Sequence, residues 1–123
     1  MAGEGKWRVR RDARLKLGRD FARARQEGGR LANGCLIANW LRRSPEAASR
    51  LGVISTRKLG NAVVRNRARR LLRESYRLHQ RDLAEPIDLV LIARSSIVGK
   101  RFAEVEKDFL TTLRKAGLLK AVS

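Results

Sequence analysis

The segment from Ile87 to Arg94, IDLVLIAR, is the most apolar run of the chain and sets the strongest limit on its fold. A short run of this kind is typical of a central strand that is covered on both faces. Such a strand needs neighbouring strands and packed helices to remove it from water. The chain is therefore expected to build a sheet with helices against it.

Two other segments predict strands. The stretch from Cys35 to Leu41, CLIANWL, is short and apolar and precedes a loop that contains Pro45, which favours a buried strand over a helix. The stretch from Leu51 to Arg57, LGVISTR, contains the β-branched residues that strands prefer. These two strands are expected to pair as a hairpin across the loop of residues 44 to 49.

Three segments predict helices. Apolar residues at helical spacing before Gly28 and Gly29 predict a short helix over residues 18 to 27. Asn61 is a good N-cap for a second helix. The apolar side of that helix is expected to consist of Val64, Ala68, Leu71, Leu72, Ser75 and Leu78. A third helix, which Gly117 is expected to stop, is predicted by an apolar repeat. That repeat consists of Phe102, Val105, Phe109 and Leu113.

The element order α-β-β-α-β-α predicts an α+β fold, a two-layer α/β sandwich on a small mixed sheet. The length of 123 residues fits one such domain. We expect a flexible basic extension over residues 1 to 14, a single domain over residues 15 to 119, and a short tail over residues 120 to 123.

The charge balance points to the kind of partner. Lys and Arg outnumber Asp and Glu by 29 to 12, which gives a formal net charge of +17. Hydrophobic residues still make up 43% of the chain, so this is a folded basic protein and not a disordered tail. Residues 6 to 30 contribute +7 and residues 57 to 81 contribute +8. These two segments are expected to bind a polyanion.

The sequence excludes several other classes of protein. It contains no apolar run of the roughly 18 residues that a membrane span requires, and no apolar block follows its basic N-terminus. We therefore expect a soluble, cytoplasmic protein. A single cysteine, Cys35, and a single histidine, His79, cannot form an internal disulfide or an ordinary Cys/His zinc site.

Motifs for catalysis are also missing from the sequence. His79 has no nucleophile motif to act with, and no glycine-rich phosphate loop is present. Asp82, Glu85 and Asp88 are close in sequence, but they flank Pro86 without a repeating ligand pattern. We expect no catalytic residue and no metal site in the protein itself.

The segment from Arg57 to Arg73 carries the remaining signal. Seven of its seventeen side chains are cationic, six of these are Arg, and none of the seventeen is acidic. Guanidinium groups suit bidentate contact with phosphate and stacking on bases. A charge run is usually a solvated helix face, but these cations repel one another unless an external anion neutralises them. The segment therefore favours nucleic acid as the partner.

At the same residues the chain resembles the protein subunit of bacterial ribonuclease P. The resemblance is centred on Arg65-Asn66-Arg67, within the sequence KLGNAVVRNRARR of residues 58 to 70. It extends to Asp20 and Phe21 in the first helix and to the closing helix, and it covers roughly residues 15 to 117.

The resemblance implies a function. A protein of this family binds a large catalytic RNA and assists it in removing the 5′ leader of precursor tRNA, so ribonuclease P RNA and precursor tRNA would be the partners. The RNA would hold the active site, with Mg²⁺ held mainly by the RNA and the substrate. No membrane and no protein partner would be required. The fold implied is similar to ribosomal-protein domains and has a left-handed β-α-β crossover.

The resemblance also implies two sets of binding residues. The set expected to contact the catalytic RNA is Arg65, Asn66, Arg67, Arg69 and Arg70. Matching positions place Phe21, Lys58, Arg69 and Arg73 in a leader-binding cleft between the sheet and the first helix. Arg25 is expected in the same cleft as a departure from the family.

The chain departs from the family at aromatic positions of this cleft. Arg25 replaces an aromatic residue one helical turn after Phe21, and the first predicted strand has Leu36 and Asn39 where the family often has Phe and Tyr. Arg25 is expected to contact phosphate or base where the family stacks an aromatic ring. Trp40 either replaces a missing aromatic residue or faces the core.

Two alternative functions stay open from the residues alone. The first is a ribosomal-type RNA-binding protein without a role in cleavage. The second is membrane binding by the basic helix, which ranks last because the apolar side of that helix is of ordinary core type. The sequence does not decide the class of the cognate RNA, the leader preference or the oligomeric state.

Overall fold

The first helix, α1 (Gly18–Glu27), forms where the spacing of apolar residues predicts it. The computed structural model describes residues 18 to 120, so the predicted extension over residues 1 to 14 lies outside the described residues. The helix stops at Gly28, where a side chain would place its Cβ 1.8 Å from the Trp40 carbonyl oxygen. The glycine therefore lets the chain pass close beneath the end of α1.

A strand that the sequence analysis missed, β1 (Gly29–Asn33), follows α1 directly. It pairs antiparallel with β2 (Leu36–Arg42), which lies in the predicted stretch. The turn between them contains Gly34 at a φ of +58°, a conformation that favours glycine. The sequence GRLAN of β1 has no β-branched or aromatic residue and so carries little strand signal. The observed order is therefore α-β-β-β-α-β-α.

The sheet is mixed, as predicted, and has four strands in the order β1-β2-β4-β3. Here β3 is Arg50–Ile54 and β4 is Ile87–Ala93. Strand β4 pairs antiparallel with β2 and parallel with β3. The predicted hairpin of β2 with β3 is wrong, because β4 lies between them. The most apolar strand takes this position because it is then paired at both edges and covered on both faces.

The second helix, α2 (Ala62–His79), connects the parallel strands β3 and β4. Its buried residues are Ala68, Leu72, Ser75 and Tyr76. Leu78 was expected on this apolar side but is 38% exposed. It lies about 240° round the helix from Leu72 at 3.6 residues per turn, and Tyr76 fills the core in its place. The left-handed course of this crossover stays a prediction.

The third helix, α3 (Phe102–Lys115), packs beside α2 on the same face of the sheet. Val105, Phe109 and Leu113 of the predicted repeat are buried, and Phe102 is half-buried. These two helices and the sheet form the two main layers, with α1 added on the other face. The α+β fold on a small mixed sheet is confirmed.

The end of α3 confirms the expected stop at Gly117. That glycine has a φ of +74°, and its N–H donates to the Arg114 carbonyl at 3.1 Å while the Leu118 N–H donates to the Leu113 carbonyl at 2.9 Å. Such paired bonds satisfy the last carbonyls of a helix that ends at glycine.

The chain after α3 runs back beside the segment that follows α2. Leu119 forms a bridge with Leu83, and the Lys120 N–H donates to the Asp82 carbonyl at 2.7 Å. The first residue of the predicted tail is therefore bonded through its backbone, and residues 121 to 123 lie outside the described residues.

Helix α1 lies on the opposite face of the sheet. Ala24 of α1 and Val90 of β4 are buried there. Partly buried side chains surround them, namely Phe21, Leu41, Ile54 and Ile92. Strand β4 is thus covered on both faces. None of the helices described is long and apolar enough to cross a membrane.

Candidate nucleic-acid interface

The start of α2 is fixed by the predicted N-cap. Asn61 has an extended backbone, and its side-chain oxygen accepts from the Val64 N–H at 3.1 Å. This bond satisfies one of the amide donors that a helix N-terminus leaves free. The remaining donors and the helix dipole make this end of α2 favourable for an anion, before any side-chain charge is added.

The arginines of α2 lie on two flanks of the helix, because successive residues are about 100° apart. Arg65, Arg69 and Arg73 follow one another at intervals of four residues on the flank beside β3. Arg69 is half-buried there, and its guanidinium donates to the Ser55 hydroxyl at 2.6 Å and to the side-chain oxygen of Asn66. Ser55 in turn donates to the Arg65 carbonyl at 3.3 Å.

Arg67 lies on the opposite flank, which faces the loop after β4. Its guanidinium donates to the Lys100 carbonyl at 2.9 Å. Asn66 and Arg70 are exposed between the two flanks. The set predicted to contact the catalytic RNA therefore spans the whole outer side of α2 and does not converge on one point.

The cations of the first half of α2, and Lys58 before it, have no carboxylate partner within the described residues. No carboxylate of residues 18 to 120 forms an ion pair with Lys58, Arg65, Arg67, Arg69 or Arg70. Other arginines of the chain do form ion pairs with carboxylates. Arg23 pairs with Glu27, and Arg50 pairs with Asp88.

The first carboxylate of α2, Glu74, is one helical turn from Arg70 but forms its ion pair with Arg77. It is engaged by Arg77, whose hydrogen bond lowers the pKa of the Glu74 carboxyl. It is therefore held by its own partner and is not available to balance the charge of residues 57 to 70. That charge is left for an external anion.

On the other face of the sheet, Phe21 and Arg25 lie one turn apart on α1. Phe21 packs against the cluster of Ala24 and Val90 and stays partly exposed. Arg25 is exposed. A ring with one accessible side next to a cation can hold a base and its phosphate.

The end of β3 joins the α1 residues to those of α2. Ile54 packs in the same cluster as Phe21, and the next residue, Ser55, accepts from Arg69. Lys58 follows three residues later and is exposed. The predicted leader-binding residues thus form a strip that runs from α1 over the end of β3 to one flank of α2.

Asn39 has a role that the sequence analysis missed. It points to the α1 face and is 3% exposed, and its amide donates to the carbonyls of Ala24 at 2.8 Å and Gly29 at 2.7 Å. It therefore ties the end of α1 to the sheet and is not free to contact a base. A single polar residue within an apolar strand was the only signal for this role.

Trp40 does not replace an aromatic residue of the cleft. It lies on the opposite face of β2 and packs against the main core. A Cβ at Gly29 would lie 2.4 Å from the Trp40 ring, so the glycine makes room for the indole. Of the two alternatives for Trp40, the structure therefore supports the one in which it faces the core. Among the described residues, Phe21 is the aromatic residue on the α1 face.

A second polar contact holds α1 against the sheet. Arg50 of β3 donates to both carboxylate oxygens of Asp88, at 2.8 and 2.7 Å, and lies 3.8 Å from Asp20 of α1. Asp88 is 5% exposed, so this ion pair is largely desolvated. The hydrogen bonds raise the pKa of Arg50. Both ends of α1 are therefore anchored.

The three carboxylates near Pro86 do not converge. Asp88 pairs with Arg50, Glu85 with Arg42, and Asp82 with His79 at 3.2 Å. Within residues 18 to 120, no group of His, Cys, Asp or Glu side chains is placed to hold a metal ion.

His79 connects the end of α2 to α3. Its second ring nitrogen lies 2.8 Å from Glu106, and its ring lies 6.3 Å from that of Phe109. It is the last residue of α2 and is half-buried in these contacts. Its surroundings give it a structural role between the two helices.

Cys35 is a buried free thiol, as predicted. Burial, helped by the neighbouring Asp108, raises its pKa to about 12. Such a thiol is protonated and unreactive at neutral pH.

Comparison with known proteins places this geometry in a family. A family model described as Ribonuclease P matches residues 9 to 117. The ribonuclease P protein component of Gluconacetobacter diazotrophicus is 42% identical over 108 residues, which cover 85% of this chain and 91% of that protein.

Solved structures agree with this match. The RNase P protein of Staphylococcus aureus superposes with a TM-score of 0.80 at 27% identity and covers 88% of this chain and 98% of its own. The RNase P protein from Thermotoga maritima superposes with a TM-score of 0.75 at 30% identity and covers 83% and 96%. Because the family model spans the sheet, all three helices and the basic side of α2, the chain belongs to the ribonuclease P protein family.

Proposed function

We propose that this chain is the protein subunit of a ribonuclease P ribonucleoprotein, in which it binds the catalytic RNA and the 5′ leader of precursor tRNA. Membership of the family supports a role in tRNA processing as part of an endoribonuclease complex. The alternative of a ribosomal-type RNA-binding protein loses support, because the family match covers the whole described fold.

The observation that carries the proposal is the uncompensated charge of α2. Cations from Lys58 to Arg70 have no carboxylate partner among the described residues. Lys58 and Arg65 lie near the N-terminus of α2, where free amides and the helix dipole add to the attraction for phosphate. Arg67, Arg69 and Arg70 extend the positive surface further along the helix. An RNA that covers Arg65, Asn66, Arg67, Arg69 and Arg70 would neutralise the mutual repulsion of the four arginines, and the RNA would release counterions.

The leader would bind along the strip from α1 to α2. Phe21 offers a partly exposed ring, and Arg25 lies one turn further along α1. Lys58, Arg69 and Arg73 extend the strip with positive charge. With Asn39 and Trp40 engaged elsewhere, leader binding in this chain depends more on phosphate contacts than on stacking.

In this account the protein takes no direct part in bond cleavage. The RNA would carry the active site, with Mg²⁺ held mainly by the RNA and the substrate. The protein would lower the repulsion between two RNA molecules at moderate ionic strength, so that less Mg²⁺ is needed for the leader to approach. No protein partner is required for this effect.

Cleavage of precursor tRNA tests the proposal. The catalytic RNA would be the ribonuclease P RNA of Gluconacetobacter diazotrophicus, assayed at low Mg²⁺ with and without this protein. We expect stimulated cleavage at the mature 5′ end. We also expect loss of stimulation in the double variant Arg67→Ala and Arg70→Ala, with Arg23→Ala as a matched control, because Arg23 is exposed but paired with Glu27.

The proposal is wrong if the folded protein gives no stimulation while the relative's own subunit is active in parallel. Binding to the RNA without any effect on cleavage would instead favour the ribosomal-type alternative.

A further inference from the structure

An apolar groove of about 230 Å³ lies between the first turns of α2 and the loop that follows β4. Val63 and Ala68 belong to the helix wall, and Ile97 and Val98 belong to the loop wall. The one charged residue that lines it is Arg67. None of the contacts described above for the leader strip uses this groove, which lies on the other flank of α2.

The walls of the groove expose aliphatic surface that a folded chain normally buries. Val63 is 76% exposed and Val98 is 49% exposed. Leu78 is the other large hydrophobic side chain that the structure describes as exposed. Single exposed residues need no explanation, but two that face each other across one groove indicate a binding surface.

The charge around the groove defines the chemistry of its occupant. Arg67 is held beside the groove by its hydrogen bond to the Lys100 carbonyl at 2.9 Å, and its remaining N–H groups are not bonded to any described residue. Asn66 and Arg70 lie next to it on the outer side of α2. The occupant must therefore combine a flat or apolar surface with negative charge.

We propose that this groove binds one unpaired nucleobase of the catalytic RNA, with Arg67 on the adjoining phosphate or stacked on the base. The inference rests on the proposed function and adds a recognition site to it. Unpaired bases in loops and bulges are the parts of RNA that proteins read most often, because their faces and edges are accessible. A volume below the roughly 300–1,000 Å³ of drug-sized ligand sites suits a single ring system.

An aliphatic side chain of a protein partner, or of a second copy of this chain, fits the groove less well. Such a partner would have to bring its own carboxylates to meet Arg67 and Arg70. A nucleotide carries the flat apolar face and the negative charge together, and the groove adjoins the surface that the proposed function assigns to RNA.

The test separates base contact from phosphate contact. The variant Val63→Ser with Val98→Ser removes the apolar walls without changing the charge. Leu78→Ser is the matched control, because it changes an exposed apolar residue of α2 outside the groove. Affinity for the Gluconacetobacter diazotrophicus catalytic RNA would be measured over a range of salt concentrations, and the bases of the bound RNA would be probed with base-specific chemical reagents.

We expect the double valine variant to bind this RNA about 10-fold more weakly. Its dependence on salt should equal that of the wild type, because no phosphate contact is lost. The wild type should protect an unpaired base that stays reactive with the variant. Arg67→Ala should differ, with a salt slope that is smaller by about 1. The control should bind as the wild type does.

Several results would overturn the inference. If the wild type binds this RNA and the valine variant binds it equally well, the groove is not a contact site for the RNA. The proposed function would then still stand. A loss of affinity without any change in base protection would show that no base enters it. Self-association of the wild type that the variant lacks would assign the groove to a second copy. Failure of the wild type to bind would overturn both proposals. Thermal unfolding of each variant confirms that it is folded.

Discussion

The amide of Asn39 donates to the Ala24 carbonyl at 2.8 Å and so fixes the end of α1 to the sheet. The same amide also donates to Gly29, where β1 begins. Helix α1 carries Phe21 and Arg25, so a buried polar contact positions two of the five residues of the proposed leader site. Asn39 occupies a position where the family often has an aromatic residue. In this chain Asn39 positions α1 and does not stack on a base.

Replacement of Asn39 by Leu should disturb both stability and leader binding. Two carbonyls would lose their donor in a buried site, which costs about 1–3 kcal/mol of unfolding free energy. Denaturant unfolding measures this loss. The same variant should also bind the leader more weakly, while its affinity for the catalytic RNA should be unchanged. Asn33→Ala is the control, since within residues 18 to 120 the Asn33 side chain accepts only a long bond of 3.4 Å from Lys115. An unchanged unfolding midpoint in Asn39→Leu would contradict the account.

The two leucines of α2 should respond differently to truncation. Leu72 is fully buried and Leu78 is 38% exposed. Leu72→Ala should lower the free energy of unfolding by about 2–5 kcal/mol, because it leaves a cavity in the core. Leu78→Ala should change it by about 0.5 kcal/mol or less. Equal losses would mean that the core side of the helix is assigned wrongly.

Arg25 should contribute charge, and Phe21 should contribute a ring, to leader binding. Arg25→Ala should weaken binding of precursor tRNA to the assembled complex and reduce its salt slope by about 1. Phe21→Leu keeps an apolar side chain against the cluster of Ala24 and Val90 but removes the ring. The loss of one stacked base should cost about 1–3 kcal/mol of leader binding. Unchanged leader affinity and salt dependence in Arg25→Ala would remove that residue from the site.

Stability of the free protein should fall at alkaline pH. Burial raises the pKa of Cys35 from 9.0 to about 12 and that of Tyr76 from 10.0 to about 12. Between the lower and the higher pKa of each group, the unfolded chain has released a proton that the folded chain retains. The free energy of unfolding therefore falls as pH rises through that interval. Below about pH 8 both groups are protonated in both states and have no such effect.

The slope expected from each group is about 1.4 kcal/mol per pH unit. Between pH 9 and 10 it comes from Cys35, so Cys35→Ala should flatten the curve there. Tyr76→Phe should flatten it only above pH 10. Denaturant unfolding at a series of pH values checks both. A wild-type stability that is constant from pH 9 to 11 would contradict the described burial.

Much of the fold could be predicted because its elements carry strong local signals. Asn61, Gly28 and Gly117 set helix boundaries through backbone chemistry that a sequence shows directly. The pairing of β2 with β4 could not be predicted in this way, because it depends on contacts between distant segments. β1 was missed because its five residues have no β-branched or aromatic member.

The candidate site was predictable in composition but not in arrangement. The absence of acidic residues from positions 57 to 73 already indicated an anionic partner. Helical spacing separates Arg67 from Arg65 and Arg69. The groups that the two flanks meet, the Lys100 carbonyl and the Ser55 hydroxyl, could not be predicted from the sequence. Whether Trp40 faced the cleft depended on strand parity, which the pairing with β4 decided.

The effect of leader length on the affinity for precursor tRNA tests the proposed leader site most directly. The complex of this protein with the catalytic RNA would be titrated with precursor tRNA that has a long leader and with the same tRNA that has a one-nucleotide leader. We predict that the protein raises affinity for the first at least about 10-fold more than for the second, and that Phe21→Ala reduces this difference. An equal gain for both substrates would contradict the assignment of the strip from α1 to α2 as the leader site.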